Sequence, residues 1–348
     1  MTVQDACRPS MMQLRSYFEQ ALSSAEAYRG STAPNPPVGA IAWDREGQVL
    51  GLAAHVRAGE EHAEAALIRR VQELGALDRV HGVLVTLEPC NHHGKTPPCS
   101  EALLRNLPQL QWLFYGATDL NPRVAGGGAE RLRAAGISVL SLQDELGHSD
   151  SLCLRGQRLL AAFFKKMNQG RPWVTLKTAH LFPPLNDCEF QSLDYLRSSM
   201  VPPEGQKTFT SEEALVLAHS LRKRADSIIT GAGTAVIDRP LFTVRRVTDF
   251  EGKLRRVYVV GREDDRLADW MASLDRRFFD GVPQVFPTVA ELFAGLRDSI
   301  ELEVLVEAGP KLTKVILDFE LWDEHHVFVN ASTGEGTEHR IRFREPQS

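Results

Sequence analysis

The chain has 348 residues, of which 43% are apolar and 24% charged. That ordinary globular composition suits about two domains and excludes a disordered, collagen-like or disulfide-scaffold protein. Lys and Arg number 40 against 45 Asp and Glu, a net charge of −5, so the chain lacks the basic excess of a nucleic-acid-coating protein. The cysteines are sparse (Cys7, Cys90, Cys99, Cys153 and Cys188), as in a reducing compartment. No apolar run reaches the roughly 18 residues of a membrane-spanning helix, and residues 1–12 lack the apolar core of a secretory signal. The expectation is a cytoplasmic protein with neither membrane nor nucleic acid as partner.

In chain order, residues 14–28 carry the spacing of an amphipathic helix. Two apolar runs, 38–43 and 49–53, flank a turn-rich segment at 44–47 and read as a hairpin. Residues 63–74 return to helical spacing, with Ala66, Leu67, Val71 and Leu74 on one face. The continuous apolar run 83–87 suits a buried strand. A helix start at 100–106, a strand at 110–117, a helix at 129–135 and a strand at 137–142 follow. The alternation makes the first half an α/β layered fold.

A helical segment at 152–166 and the punctuation Asn168-Gln169-Gly170-Arg171-Pro172 place the boundary. Residues 1–148 then form one domain, 149–170 a connecting helix or linker, and 171–348 a second domain. The second domain restarts with a strand at 173–178 and passes through an irregular, proline-bearing region at 181–205. It continues with a helix at 211–225, β-branched strands at 227–230, 256–260 and 303–307, a helix after Gly309 and a strand near 326–330, again an α/β pattern.

His62-Ala63-Glu64 opens the helix near residue 62, Pro89-Cys90 closes the buried strand, and Cys99 lies nine positions later. One imidazole and two thiolates suit zinc and leave a fourth position open for water, the mark of a catalytic site. Zinc there would lower the pKa of that water toward about 7. Glu64, two residues past His62, is placed to take and return its proton without ligating the metal. His-x-Glu, then Pro-Cys, then a further Cys is the arrangement of zinc nucleobase deaminases. A structural zinc remains the competing reading; it would want a fourth ligand, a position His92 or His93 could fill.

The run Thr86-Leu87-Glu88-Pro89-Cys90-Asn91-His92-His93-Gly94-Lys95-Thr96-Pro97-Pro98-Cys99 closely resembles the deaminase motif of the bifunctional riboflavin-biosynthesis deaminase/reductases. Asn35-Pro36-Pro37-Val38-Gly39-Ala40, His55 and Asp119-Leu120-Asn121-Pro122-Arg123-Val124-Ala125-Gly126 resemble further marks of that family, with Leu120 in place of a proline. The resemblance implies a cytidine-deaminase-like three-layer α/β/α domain. It implies hydrolytic deamination of 2,5-diamino-6-ribosylamino-4(3H)-pyrimidinone 5′-phosphate, with Asn35, His55, His92, Lys95, Asp119 and Asn121 binding ring, ribose and phosphate. Lys95 as a solvated loop lysine and Asn121 as a turn residue before Pro122 stand as the ordinary alternatives. His81, His148 and His219 carry no supporting pattern and read as surface or core.

Residues 172–330 resemble the reductase half of the same family, a dihydrofolate-reductase-like α/β domain. The resemblance rests on Leu221-Arg222, Gly231-Ala232-Gly233-Thr234, Asp238, Pro240, Thr243-Val244-Arg245 and Glu307-Ala308-Gly309-Pro310. It implies Arg222, Arg245 and Glu307 as substrate-binding residues, with the two arginines as forked donors to a phosphate. It implies Gly231, Gly233, Thr234 and Asp238 toward an NADPH cofactor, and a homo-oligomer assembled through this domain.

The chain also departs from the pattern. Lys177-Thr178-Ala179-His180 runs into Leu181-Phe182-Pro183-Pro184-Leu185 where the family has a Ser-Leu-Asp-Gly stretch. Gln206 and Thr208 stand for an expected Ser and Trp, and Asp238-Arg239-Pro240 for Asp-Asp-Pro. The polar ending at 330–348 looks shortened. The first substitutions fall where nicotinamide and substrate would lie, so hydride transfer, and NADPH with it, stays open at this point. The alternative is a deaminase-only relative feeding a GTP-derived pteridine-like or azapteridine pathway. A base deaminase acting on nucleic acid and a zinc-bearing scaffold are the readings from other classes. The acidic balance and the absence of a basic or aromatic tract speak against the former.

Overall fold

The computed structural model describes residues 8–91, 97–119, 127–184, 186–201, 210–330 and 336–344. The chain divides into two compact units, Met1–Gln169 and Gly170–Ser348.

The first unit runs α1 (Met11–Glu26), β1 (Gly39–Trp43), β2 (Val49–Ala54), α2 (Ala63–Glu73), β3 (Gly82–Leu87), α3 (Cys99–Asn106), β4 (Trp112–Ala117), α4 (Gly127–Ala134), β5 (Ser138–Ser141), α5 (Leu142–Leu146) and α6 (Ser151–Gln169). A capping box starts α1: the Ser10 hydroxyl accepts from Gln13 N–H while the Gln13 side chain returns to the Ser10 N–H. The hairpin turns at Gly47, whose φ of 82° is a conformation open to glycine. Its strands β1 and β2 pair antiparallel, as do β1 and β3, while β3, β4 and β5 run parallel. The sheet order is β2-β1-β3-β4-β5.

Side chains alternate across this sheet. Ile41, Leu84 and Phe114 face α1 and α6 through Leu14, Phe18, Leu22 and Leu159. Ala40, Val83, Val85 and Leu113 face α2, α3 and α4 through Leu67, Val71, Leu103 and Leu132. The result is the three-layer α/β/α sandwich. The α6 helix, read from sequence as a connector, lies in the first unit, with Leu152, Cys153 and Leu159 in the core beside α1.

The second unit runs β6 (Trp173–His180), α7 (Asp187–Phe190), α8 (Leu193–Ser199), α9 (Glu212–Arg224), β7 (Ser227–Gly231), α10 (Ala232–Asp238), β8 (Arg256–Val260), α11 (Asp265–Ser273), β9 (Gln284–Phe286), α12 (Val289–Gly295), β10 (Glu303–Glu307), α13 (Pro310–Asp318), β11 (Glu324–Asn330) and β12 (Thr337–Phe343). The sheet order is β12-β11-β6-β10-β7-β8-β9, parallel except for the antiparallel edge pair β11 and β12.

Val304 and Val306 face α8, α12 and α13 with Leu196, Leu292 and Ile316. Leu305 faces α9 through Leu221 and Ala225, and Ile228 and Val257 pack with Ala235 and Trp270 of α10 and α11. Thus β7 leads into a helix on one face and its neighbour β10 into a helix on the other. Such a switch opens a crevice at the strands' carboxyl ends, where open α/β sheets bind ligands.

Two expectations need correction here. The region 181–205, read as irregular, folds in its described part into α7 and α8, capped by Asn186 and Ser192, with Phe190, Tyr195 and Leu196 buried. Helices of four and seven residues are too short for apolar spacing to declare them. The ending at 330–348 contributes β12, an edge strand whose polar side chains hide the alternation.

Candidate active site in the first unit and polar crevice in the second

The carboxyl end of β3 and the starts of α2 and α3 converge. His62 is the N-cap residue of α2, Glu64 sits in that helix's first turn, and Cys99 is the first residue of α3. Cys90 follows β3 by three residues. The His62 Nδ1 lies 3.4 Å from Cys99 Sγ and 3.9 Å from Cys90 Sγ, and the three donor atoms fall within 4.8 Å of one another. Tetrahedral zinc with bonds of about 2.3 Å to sulfur and about 2.0 Å to nitrogen sets S and N about 3.5 Å apart. The donor set and its spacing therefore fit zinc.

Cys90 Sγ also accepts the Cys99 backbone N–H at 3.4 Å. A hydrogen bond from the Cys99 thiol, with His62 beside it, holds the Cys90 thiol down at about 4. The same hydrogen bond, then burial, pushes the Cys99 thiol up. The start of each helix adds a favourable dipole for thiolate. Glu64 is 4% exposed, and burial, with the charge of Cys90, pushes its carboxyl up to about 7.

Beside this cluster the His55 Nδ1–H donates to the Glu61 carbonyl at 2.9 Å, which leaves Nε2 to accept from the Asn35 amide at 3.3 Å. The His55 and His62 rings meet edge to face at 5.7 Å. Burial pushes the His55 imidazole down from its ordinary value. Asp119, buried, follows β4, and its N–H donates to Glu88 Oε2 at 3.4 Å. His62, Glu64, Cys90, Cys99, Asn35 and His55 are thus brought together, while His92, Lys95 and Asn121 lie outside the described residues.

Sequence reasoning missed Glu88 as an anchor. It is 3% exposed, and its other oxygen accepts the Ala129 N–H at 3.1 Å, seating α4 beside the β3 end. A carboxylate closing an otherwise apolar strand was the available signal.

In the second unit, Glu307 ends β10 and takes both arms of Arg222, Nε at 2.5 Å and Nη2 at 2.8 Å. Arg222 is thereby committed to Glu307 rather than presented as a free fork. Burial alone would push Glu307 up, but Arg222, with Lys177 and His219, holds it down at about 2. Arg245 is exposed; its backbone N–H donates to His219 Nδ1 at 2.9 Å and its Nη1 to Thr243 Oγ1 at 2.8 Å.

Burial and the neighbouring arginines push His219 down to about 4. Burial likewise pushes the Lys177 ammonium down, against the pull of Glu307. Lys177 and His219 were not among the sequence candidates. His219 lies three positions before Arg222 and therefore on the same face of α9, which was the available hint.

Gly231 is the N-cap residue of α10, and a Cβ at Gly233 would meet nothing within 4 Å. The Thr234 hydroxyl accepts the Gly309 N–H at 2.9 Å, joining the β7 and β10 ends. Asp238, the last residue of α10, is exposed.

A buried polar chain lies on the opposite face of β6. Ser199 Oγ and His180 Nδ1, His180 Nε2 and Thr178 Oγ1, and Thr178 Oγ1 and His325 Nε2 are each 2.9 Å apart.

Comparison with known proteins gives this geometry a lineage. Residues 11–108 match the cytidine and deoxycytidylate deaminase zinc-binding region, and residues 192–333 match the RibD C-terminal domain. The riboflavin biosynthesis protein RibD of Corynebacterium ammoniagenes is 35% identical over 299 residues, covering 84% of this chain and 78% of that protein. The RibD of Aquifex aeolicus is 35% identical over 233 residues, 67% of this chain, and the chain spans only 58% of that relative's length. The solved RibD of Acinetobacter baumannii superposes with a TM-score of 0.70 at 28% identity, covering 93% of this chain and 88% of that one. The two family matches fall in turn within the two units, and a RibD relative is matched over 84% of this chain and 78% of its own length; the chain belongs to the RibD family.

Proposed function

We propose that the first unit removes an amine from a pyrimidine ring as ammonia, with zinc held by His62, Cys90 and Cys99. The substrate we assign is 2,5-diamino-6-ribosylamino-4(3H)-pyrimidinone 5′-phosphate, converted to 5-amino-6-(5-phosphoribosylamino)uracil. The observation that carries this reading is the buried Glu64 carboxyl in the first turn of the same helix that His62 caps, beside three donors spaced for zinc. Zinc held there by His62, Cys90 and Cys99 would polarise a water so that it ionises near neutral pH.

Glu64 accepts a proton from that water and delivers it to the departing nitrogen, a shuttle suited to a carboxyl held near 7. Asn35 keeps one amide hydrogen and its carbonyl for the ring edge, because His55 takes only the other hydrogen. His55 is in this reading the group that orients Asn35. Asp119, with His92, Lys95 and Asn121, completes the proposed substrate set.

For the second unit we propose reduction of the ribose of that product. The residues at the carboxyl ends of β7 and β10 would hold NADPH, which would supply the hydride when bound. The open approach at Gly233 suits a cofactor phosphate, with Gly231, Thr234 and Asp238 flanking it. Arg245, exposed, is the donor left for the substrate phosphate, while Arg222 holds Glu307 in place.

The test is to supply zinc-loaded protein with the ribotide, with and without NADPH, and to follow ammonia and NADPH absorbance together. Both are expected to change. Ammonia without NADPH consumption refutes the second assignment, and no ammonia refutes the first.

A further inference from the structure

Eight residues separate Cys90 from Cys99. Two cysteines one helical turn apart are held by the backbone between them. A longer loop leaves its ends free to part, and closing it costs entropy that grows with its length. A metal needs both sulfurs at one spacing, so contacts between the segments that carry Cys90 and Cys99 bear on the site.

Three ties are local: Cys90 Sγ accepts the Cys99 N–H at 3.4 Å, the Ser100 N–H donates to the Cys90 carbonyl at 3.2 Å, and the Ser100 hydroxyl donates to Asn91 Oδ1 at 2.9 Å. A fourth comes from another element. Arg131 of α4 splits its guanidinium, Nη1 donating to Asn91 Oδ1 at 3.3 Å and Nη2 to Glu101 Oε2 at 3.2 Å. One side chain thus spans the residue after Cys90 and the second residue after Cys99. The first turn of α4 is pressed onto the loop's entry, because a Cβ on Gly128 would lie 1.8 Å from the Pro89 carbonyl oxygen. Only an arginine offers donors in a rigid planar fork that serves two acceptors at once; a lysine offers a single point.

We infer that Arg131 is a positioning residue for the metal centre: by bridging Asn91 and Glu101 it holds the two cysteine-bearing segments at the separation the metal requires. The inference rests on the reading of His62, Cys90 and Cys99 as zinc ligands. Arg131 itself belongs to the outer surroundings of the ligands, where substitutions typically weaken metal affinity by about 10–100-fold.

The experiment mixes the zinc-loaded full chain with an excess of a chromophoric chelator and follows zinc release by absorbance. Arg131→Ala is expected to release zinc roughly 10–100-fold faster than the wild type, and Arg131→Lys to fall between them. Arg133→Ala is the control. Its side chain donates to the Val139 carbonyl from Nε and Nη2 at 3.3 and 3.1 Å, tying α4 to β5 instead. It should release zinc at the wild-type rate. The melting midpoint of the zinc-free Arg131→Ala protein should match the wild type's, which separates positioning from folding.

Release from Arg131→Ala at the wild-type rate, or equal acceleration by Arg133→Ala, overturns the inference while leaving the zinc assignment standing. A wild-type chain that takes up no zinc overturns both. No substrate enters the assay, so a wrong choice of pyrimidine leaves its result intact.

Discussion

At the residue scale, the chemistry is carried by a few side chains whose surroundings set their charge. Glu307 and Arg222 show this most clearly in the second unit. Both are largely buried, and the pair stands only because each neutralises the other. Arg222→Ala removes the main partner of a buried carboxylate, leaving Lys177 beside it, and is expected to destabilise the second unit by up to about 3–5 kcal/mol. Chemical denaturation, read on a probe in that unit, checks this, and a loss under about 1 kcal/mol contradicts the buried pairing. Zinc content should not change.

The candidate residues were unevenly legible in the sequence. His62, Glu64, Cys90 and Cys99 announce themselves because zinc accepts few residue types and their order along the chain is distinctive. The partners of Arg222 were hidden, since Glu307 lies 85 positions away and nothing local marks the pair. Lys177 was hidden for the same reason, and His219 was marked only by its spacing before Arg222; both acquire meaning when the fold brings Glu307 near them.

At the element scale, the first unit's site depends on how closely α4 approaches the β3 end. Gly128→Ala would drive a methyl to 1.8 Å from the Pro89 carbonyl, a backbone atom with little room to yield. The substitution is expected to cost about 1–3 kcal/mol, as overpacking does, and to speed zinc loss to a chelator by shifting Arg131. Gly136→Ala, by comparison, adds a methyl that meets nothing within 4 Å but strains a φ of 88°; it should cost stability without affecting zinc release. Equal zinc release from wild type and Gly128→Ala contradicts the close docking of α4.

Long elements with a clear period were readable. The buried strand β3 and helices α2, α6 and α9 follow their apolar patterns closely. The short α7 and α8 were not, because Asn186 and Ser192 cap helices too brief to show a period. Strand β12 was obscured by His339, Arg340 and Arg342 on an edge that faces solvent on one side.

At the scale of the whole molecule, the second unit carries a pH liability of its own. Burial pushes His180 down to about 4 and His325 down to about 3, with Lys177 acting on His180 and His180, Arg342 and His326 on His325. Both are depressed from 6.5, so below that pH the unfolded chain binds protons that the folded unit refuses. Their stabilisation is complete above about 6.5 and is lost as pH falls toward 4 and then 3, at up to about 1.4 kcal/mol per pH unit for each group.

Glu307, depressed from 4.5 to about 2, acts in the same direction over a lower window: its contribution is present above about 4.5 and lost as pH falls toward 2. The second unit should therefore melt at progressively lower temperature from about pH 6.5 downward, and His180→Gln should flatten the upper part of that decline. A melting midpoint for the second unit that stays constant between about pH 7.5 and 5 contradicts the buried neutral histidines.

The central claim is hydrolytic deamination at the His62, Cys90, Cys99 and Glu64 site. The most direct measurement is ammonia release from the diaminopyrimidine ribotide by the zinc-loaded wild type and by Glu64→Gln, with bound zinc quantified in both. The claim predicts equal zinc and a loss of at least about 100-fold in the rate for Glu64→Gln, as removal of a general acid–base group gives. Equal rates at equal zinc would contradict it, because the carboxyl that the fold buries beside the proposed metal ligands would then have no part in moving the proton.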